Sequence, residues 1–142
     1  LLEWASGWMD YPDKEAIPAI SPRNIQIPCE FLYIEQNFGW KRNPKTGLDE
    51  FFPGIRFKVE DNSLVKPIMD GQVVEVGDGP EGRTVTVLHS NNVSSSYAGL
   101  EEVLVKKEAI VTSEQVLGKS GTHLYLEIRG ASGPINPQII LE

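Results

Sequence analysis

The chain has 142 residues, of which 40% are hydrophobic and 23% are charged, and its formal net charge is −7. This length and composition are typical of one globular domain with its own core. The acidic balance argues against nucleic acid or an anionic membrane face as the main ligand. The single cysteine, Cys29, excludes a disulfide within the chain.

The first 22 residues differ in pattern from the rest of the chain. Apolar residues recur at helical spacing in LLEWASGWMDYP, which predicts a short amphipathic helix ending before Pro12. The stretch that follows, up to residue 22, predicts an extended linker interrupted by prolines. This N-terminal segment could dock on the main domain or lie near a membrane, and the pattern leaves both possibilities open.

From residue 23 to residue 142 the pattern is that of an all-β domain with short antiparallel strands. The clearest hairpins join GQVVEV to RTVTVLH across the glycine-rich GDGPEG, and TVTVLH to VSSSYAGL across SNN. Consecutive asparagines tolerate the left-handed backbone that a tight hairpin needs. The proline in FFPGIRFKV predicts an edge or bulged strand there. We expect no helix of ordinary length in this region.

The stretch THLYLEIRG, residues 122–130, alternates as a half-buried strand does. Its polar face is predicted to carry His123, Tyr125, Glu127 and Arg129. Its apolar face is predicted to enter the core with Leu124, Leu126 and Ile128. A second histidine two residues after the first would complete a metal-binding pair, but tyrosine stands there instead.

The two histidines, His89 and His123, limit the metal chemistry that the chain can support. A catalytic zinc site draws three ligands from His, Cys, Asp and Glu, so a three-histidine site is impossible within one chain. A site of two histidines and a carboxylate remains possible and would need the histidines to converge. We expect His89 instead to cap a turn or lie exposed at a strand end, and His123 to be a partly buried, hydrogen-bonded strand residue.

Other catalytic and nucleotide-binding patterns have little support in the sequence. The serines at 94–96 lack the strained Gly-x-Ser-x-Gly turn of a nucleophile. No glycine-rich phosphate loop precedes a helix, so we expect neither a nucleotide nor a nucleic acid as partner.

Eight segments, taken in chain order, resemble the lysostaphin/LytM-type zinc endopeptidases, which cut peptide cross-links in peptidoglycan. The segments are FGWKRNPKTG, FFPGIRF, KPIMDGQVVEV, GRTVTVLHS, YAGL, VLVKKEAIVTSEQVLGKSG, HLYLEIR and INPQIIL. They span roughly residues 36–142. The resemblance implies a LytM-like barrel-sandwich hybrid, an all-β fold built from a duplicated hybrid motif.

The resemblance also implies which positions would carry the family's chemistry. Phe52 and Arg56 stand where the family has a ligating histidine and, four residues later, a ligating aspartate. Tyr125 stands at the third ligand position, and Gly99 replaces one of the two catalytic histidines. His123 occupies the position of the other. All three metal ligands are thus replaced, and Arg56 places a fixed positive charge where Zn²⁺ would sit.

A domain that has lost this catalytic set but kept its strands is expected to serve in binding. The resemblance therefore implies a pseudo-metalloendopeptidase without a cofactor, which acts as a scaffold or regulator in sporulation or cell-wall remodelling. It points to degenerate domains of the stage IV sporulation protein FA kind. Such domains are extracytoplasmic, tethered by an upstream membrane anchor, and their partner is another, membrane-associated protein.

The expected binding surface is the vestigial groove of the peptidase fold. Five residues are predicted to line it: Phe52, Arg56, Tyr97, His123 and Tyr125. Two alternatives remain open from the sequence. The domain could bind peptidoglycan without hydrolysing it, or it could be an active zinc endopeptidase of cell-wall peptides with an unusual site.

Overall fold

The computed structural model of the chain describes residues 25–141, so the helix and linker predicted for residues 1–22 lie outside the described residues. Eleven strands lie within them: β1 (Tyr33–Gln36), β2 (Gly39–Arg42), β3 (Asp49–Phe52), β4 (Ile55–Lys58), β5 (Leu64–Val65), β6 (Gly71–Gly79), β7 (Gly82–Leu88), β8 (Ser94–Val103), β9 (Ile110–Val111), β10 (Gly118–Gly130) and β11 (Gly133–Ile135). Short 3₁₀ segments cover Ser90–Asn92 and Pro137–Leu141. The all-β prediction is confirmed. In this described part of the chain, no helix combines the length and the apolarity that a membrane span requires.

One nine-stranded antiparallel sheet dominates the fold. Its central path runs β1-β4-β10-β8-β7-β6-β9, and β5 and β11 pair with β10 outside this path. Strands β2 and β3 form a separate two-stranded sheet. The 13-residue β10 therefore organises the domain, since it pairs with β4, β5, β8 and β11.

Both predicted hairpins are confirmed. Strands β6 and β7 pair up to Gly79 opposite Gly82, which leaves a loop of only Pro80 and Glu81. Strands β7 and β8 are joined through Asn91 and Asn92, whose φ angles of 59° and 60° lie in the left-handed region. Asparagine reaches this region at low cost because its short polar side chain bonds locally.

The single edge or bulged strand predicted for FFPGIRFKV is wrong. The structure breaks this stretch at Pro53 and Gly54 into β3, which pairs with β2, and β4, which lies between β1 and β10. Proline offers no N–H to a neighbouring strand, so the break falls where it stands. At Gly54 the chain passes so close to Tyr125 that a Cβ would lie 2.6 Å from the ring Cζ and from the hydroxyl oxygen.

The hydrophobic core covers one face of the main sheet. Polar and apolar residues alternate along β10, so its apolar side chains all point to this face. As predicted, Leu124, Leu126 and Ile128 are completely buried. Burial of each such side chain stabilises the fold by about 1.5–3 kcal/mol. Neighbouring strands contribute Ile55, Phe57, Val85, Val87 and Tyr97 to the same core. The opposite face, here called the outer face, carries the polar side chains of these strands.

Candidate functional site

The outer face of the main sheet forms a groove with two adjoining compartments, and the tip of the β6–β7 hairpin forms one wall. The first compartment, called here the tyrosine compartment, has a volume of about 350 Å³ and is lined in part by Asp78, Glu81, Tyr125 and Glu127. The second, called the histidine compartment, has a volume of about 400 Å³. It is lined by Glu35, Gln36, Arg56, Glu81 and His123.

Arg56 extends from β4 into the histidine compartment and forms an ion pair with Glu81 at the hairpin tip. Its neighbour across the sheet is Tyr125, which pairs with it in register on β10. The two residues, which the resemblance places at two ligand positions of the family, therefore stand side by side on the outer face. Here they present a guanidinium and a phenol.

His123 lies on β10 with a side chain that is 48% exposed, so it is more open than the partly buried residue we expected. The expected hydrogen bond is present, because Nδ1 lies 2.5 Å from a carboxylate oxygen of Glu35. This contact joins β10 to β1 across the intervening β4. The ring is thus held at one end of the groove by a carboxylate.

Tyr125 is half-buried and donates its hydroxyl hydrogen to Glu127 at 2.9 Å. The other carboxylate oxygen of Glu127 accepts a hydrogen bond from Arg129 Nε at 2.5 Å. Burial, followed by the hydrogen bond to Glu127 and the negative charges of Glu127 and Glu81, raises the pKa of the Tyr125 phenol well above its ordinary value. Tyr125 therefore stays protonated and acts as a hydrogen-bond donor.

Tyr97 does not line the groove, so that prediction is wrong. Its side chain is fully buried, and its hydroxyl oxygen accepts a hydrogen bond from the Ile68 N–H at 2.8 Å. Because side chains alternate along β8, Tyr97 enters the core while Ser96 and Ala98 line the tyrosine compartment. Phe52 ends β3 in the two-stranded sheet and lines neither compartment. Of the five predicted residues, the groove brings Arg56, His123 and Tyr125 together.

Gly99 marks a close backbone approach beside the groove. Its φ angle is +92°, and a Cβ on it would lie 2.8 Å from the carbonyl oxygen of His123. Gly82, with φ of +111°, packs on its other side, since a Cβ there would lie 3.3 Å from the Gly99 Cα. In this backbone the position has no room for the histidine that the resemblance implies there.

His89 takes no part in the groove and is buried rather than exposed, contrary to one of the two placements that we expected. Its Nδ1 lies 2.8 Å from the backbone oxygen of Asp70, and its Nε2 lies 2.8 Å from Ser95 Oγ. Gly71 makes room for the ring, because a Cβ there would lie 2.9 Å from Nδ1. The two histidines therefore do not converge.

The groove residues do not fit a zinc ion. Among residues 25–141, no group of three or more His, Cys, Asp and Glu side chains is arranged to hold a metal. Arg56 brings a fixed positive charge, and the Tyr125 phenol keeps its proton. The carboxylates of Glu81 and Glu127 are already bound by Arg56 and Arg129.

Two residues that shape this groove, Glu35 and Glu81, were not singled out from the sequence, whereas Glu127 was predicted on the polar face of its strand. Glu81 falls in a stretch, GDGPEG, that signals only a turn. Its partner Arg56 lies 25 residues away along the chain. No local pattern connects the two positions, so only the tertiary structure reveals the contact.

Comparison with known proteins identifies one matching family and several solved structures with a similar fold. Residues 50–137 match the family model of Peptidase family M23. Stage II sporulation protein Q of Bacillus subtilis (strain 168) is 39% identical over 124 residues, and the alignment covers 83% of this chain and 44% of that protein. The chain thus spans less than half the length of this curated relative. This relative is a different sporulation protein from the stage IV protein FA, whose kind the resemblance indicated.

Two solved structures illustrate the structural similarity. Helicobacter pylori Csd3, in its orthorhombic crystal, has a TM-score of 0.72 and 25% identity over 80% of this chain and 33% of that one. A chain of the SpoIIQ–SpoIIIAH pore forming complex has a TM-score of 0.68 and 24% identity over 82% of this chain and 90% of that one. These structures confirm the LytM-type fold, and the family model together with the curated relative confirms the family resemblance.

Proposed function

Because the chain belongs to peptidase family M23, and because its groove residues do not suit a zinc ion, we propose that it is a catalytically inactive member that binds another protein. The observation that carries the proposal is the ion pair between Arg56 and Glu81. It places a permanently charged guanidinium at a position where the resemblance puts a zinc-ligating aspartate.

Electrostatic repulsion by Arg56 opposes a metal ion in the groove. Two unit charges about 4 Å apart, in an effective dielectric of about 20, repel by roughly 4 kcal/mol, and a divalent ion about doubles that. A zinc ion beside Arg56 would have to overcome this repulsion without its usual ligands. Phe52 and Tyr125 at the two histidine positions offer neither an imidazole nor, at neutral pH, a phenolate.

The comparisons support a protein partner. Stage II sporulation protein Q is a relative at 39% identity, and a solved complex whose chain shares this fold is described as a SpoIIQ–SpoIIIAH pore forming complex. We infer that the partner of this chain is a membrane-associated protein of the SpoIIIAH kind, and that the assembly serves sporulation. The domain would then lie outside the cytoplasm, tethered to a membrane by a part of the protein beyond this chain.

The groove supplies the proposed binding surface. Arg56, His123 and Tyr125 stand on the outer face, and none of them is needed to complete the core. The groove combines hydrogen-bond donors with carboxylates, a mixture that suits the backbone and polar side chains of a partner segment. Protein interfaces of this kind gain most of their affinity from a few central residues.

Metal content tests the inactive state directly. The chain is purified with zinc in excess, dialysed, and analysed for metal by mass spectrometry beside an active M23 peptidase treated in the same way. We expect much less than one zinc per chain, and no release of peptide from purified peptidoglycan. One tightly held zinc per chain together with hydrolysis would overturn the proposal.

Binding tests the partner. The extracytoplasmic domain of the SpoIIIAH-type protein from the same genome is titrated into the chain by calorimetry. Tyr125→Ala and His123→Ala are expected to weaken binding about tenfold or more, the loss typical of a central interface contact. Lys107→Ala, an exposed residue between β8 and β9, is the matched control and should bind like the parent chain. Absence of binding by the parent chain would contradict the proposal.

A second candidate function is suggested by the volume that the groove keeps. Compartments of about 350 and 400 Å³ remain beside Tyr125 and His123, which is room for part of a peptide. The domain could therefore hold peptidoglycan peptide without cutting it. Sedimentation with purified cell wall tests this, and recovery of the chain only in the supernatant would exclude it.

A further inference from the structure

Glu81 is the one residue that lines both compartments of the groove within the described part of the chain. Its ion pair with Arg56 joins the tip of the β6–β7 hairpin to β4, which lies three places from β7 in the sheet. The pair therefore crosses above β8 and β10. It stands where the two compartments adjoin, because Glu81 lines both of them.

The ion pair between Arg56 and Glu81 contributes little to the stability of the closed arrangement. The side chains of Arg56 and Glu81 are 33% and 35% exposed, and ion pairs with this degree of solvent access stabilise a structure little. Beyond the pair, the tip is held by the last ladder position, Gly79 opposite Gly82, and by the packing of Gly82 on Gly99. The hairpin could thus keep its strands while the tip lifts.

We propose that the Arg56–Glu81 ion pair is a reversible latch across the groove. When closed, it divides the groove into the tyrosine and histidine compartments. When open, it joins them into one channel that accepts an extended segment of the partner. This inference rests on the proposed function, since it describes how the same binding groove is controlled.

The charges of the latch specify the segment that would open it. Separating the pair leaves a carboxylate on the hairpin and a guanidinium on β4, and both need new partners because an unpaired charge in a filled groove is costly. A segment carrying one basic and one acidic side chain satisfies both. An uncharged segment of the same length satisfies neither and should leave the latch closed.

Hydrogen exchange tests the latch without any partner. Glu81→Gln removes the charge and keeps the shape. Glu75→Gln is the matched control, because it is the same chemical change on β6 of the same hairpin, and Glu75 is exposed and takes part in no ion pair among residues 25–141. By nuclear magnetic resonance, amides of residues 77–84 should exchange about two- to fivefold faster in Glu81→Gln, the range expected from breaking an exposed ion pair.

The charge-swapped double variant provides the rescue. Arg56→Glu combined with Glu81→Arg restores an ion pair of reversed direction and should return exchange to the parent rate, whereas each single change should not. The latch is rejected if Glu81→Gln exchanges like the parent chain and Glu75→Gln, or if the swapped pair gives no protection.

A reversible cross-link tests whether the closed latch blocks the partner. Arg56→Cys and Glu81→Cys are joined by a bismaleimide with a cleavable disulfide spacer, while the native Cys29 is only 5% exposed and is left in place. The linked chain should bind the SpoIIIAH-type domain more weakly than the same double variant does after the spacer has been reduced. Equal binding before and after reduction would overturn the gating.

The hydrogen-exchange experiment and the cross-linking experiment distinguish a wrong latch from a wrong partner. If the parent chain and the reduced chain both fail to bind, the proposed partner is wrong, and the exchange result alone decides whether the latch exists. If exchange is unchanged in Glu81→Gln, the latch is wrong whatever the partner does.

Discussion

Gly99 and His123 meet so closely that a Cβ on Gly99 would lie 2.8 Å from the carbonyl oxygen of His123. The φ angle of Gly99, +92°, is one that residues with a side chain rarely adopt. The strand register shifts beside it, because Arg83 pairs with Leu100 and Thr84 pairs with Ala98. Gly99 is thus the extra residue of a bulge, and the histidine that the resemblance implies for this position would strain the backbone.

Restoring that histidine should therefore damage the fold. Gly99→His is expected to lower the free energy of unfolding by about 1–3 kcal/mol, the cost of a strained backbone position. Urea denaturation of the parent chain and the variant measures the difference. We expect no gain of hydrolytic activity, since the side chain has no space to point into the groove.

Gly77 offers the matched control for this change. It is a glycine of β6 without a positive φ angle, and a Cβ added to it would have no atom within 4 Å. Gly77→Ala should change stability by no more than about 0.5 kcal/mol, as substitutions away from special features do. Equal stability of Gly99→His and the parent chain would show that the backbone can relax there.

Alternation and turn chemistry made much of the fold predictable from the sequence. Polar and apolar residues alternate cleanly along β10, so its core face follows from the pattern alone, and the glycines and asparagines of the two hairpins mark their turns. The stretch SSSYAGL gives no such contrast, because serine falls on both faces of β8. The placement of Tyr97 in the groove failed for that reason.

Contacts between distant segments were not predictable in the same way. The ion pair of Arg56 with Glu81 joins a strand to a hairpin tip three strands away, and the burial of His89 depends on the space that Gly71 leaves. Each contact requires the register of several strands at once. Local spacing carries no information about them.

The fully buried Tyr97 should matter more to stability than the half-buried Tyr125. Tyr97→Phe removes the oxygen that accepts the Ile68 N–H and contacts Ser95 Oγ at 2.5 Å, and it leaves both groups in the core without this partner. An unsatisfied buried group costs about 1–3 kcal/mol. Urea denaturation should show a midpoint shift of this size with an unchanged slope.

Tyr125→Phe is the control for the same chemical change at the surface. It removes the hydrogen bond to Glu127 at 2.9 Å, but Glu127 keeps Arg129 and has access to water. The expected loss is below about 1 kcal/mol, in the range of an ordinary net hydrogen bond. A larger effect for Tyr125→Phe than for Tyr97→Phe would contradict the assigned roles.

His89 lies in a chain of hydrogen bonds that has a single direction. The Asp70 carbonyl can only accept, so His89 Nδ1 carries the proton and Nε2 accepts from Ser95. Ser95 in turn accepts from the Tyr97 hydroxyl, whose oxygen accepts the Ile68 N–H. A proton on Nε2 would reverse the chain and leave the Tyr97 hydroxyl hydrogen without an acceptor.

The stability of the fold should consequently fall in mild acid. Burial lowers the pKa of His89, although the hydrogen bond to the Asp70 carbonyl and the Asp70 charge oppose the shift. Between the lowered pKa and the ordinary value of about 6.5, the unfolded chain binds more protons, so stability decreases as pH falls through this window. Urea midpoints measured from pH 7.5 to pH 5 test this.

Substitution of each histidine in turn shows whether His89 causes the loss of stability in mild acid. His89→Gln should lower stability at pH 7.5 and flatten the dependence on pH below about 6.5. His123→Gln removes the only other histidine of the chain and should leave the acid loss in place. A pH profile that is unchanged by His89→Gln would show that another group is responsible.

Rebuilding the family's ligand set tests whether residues 52, 56 and 125 correspond to the family's three zinc-ligand positions. The triple variant Phe52→His, Arg56→Asp and Tyr125→His removes the guanidinium and supplies two imidazoles and a carboxylate, the donor types of a catalytic zinc site. We expect about one zinc per chain by mass spectrometry of the dialysed protein, and still no hydrolysis, because Gly99 stays a glycine. Arg56→Asp alone is the control and should bind no zinc.

The result depends most on Phe52, which lines neither compartment, while Arg56 and Tyr125 are neighbours in register. A triple variant without zinc would mean that the histidine at position 52 does not reach the site, and that the match to the family's first ligand is misplaced.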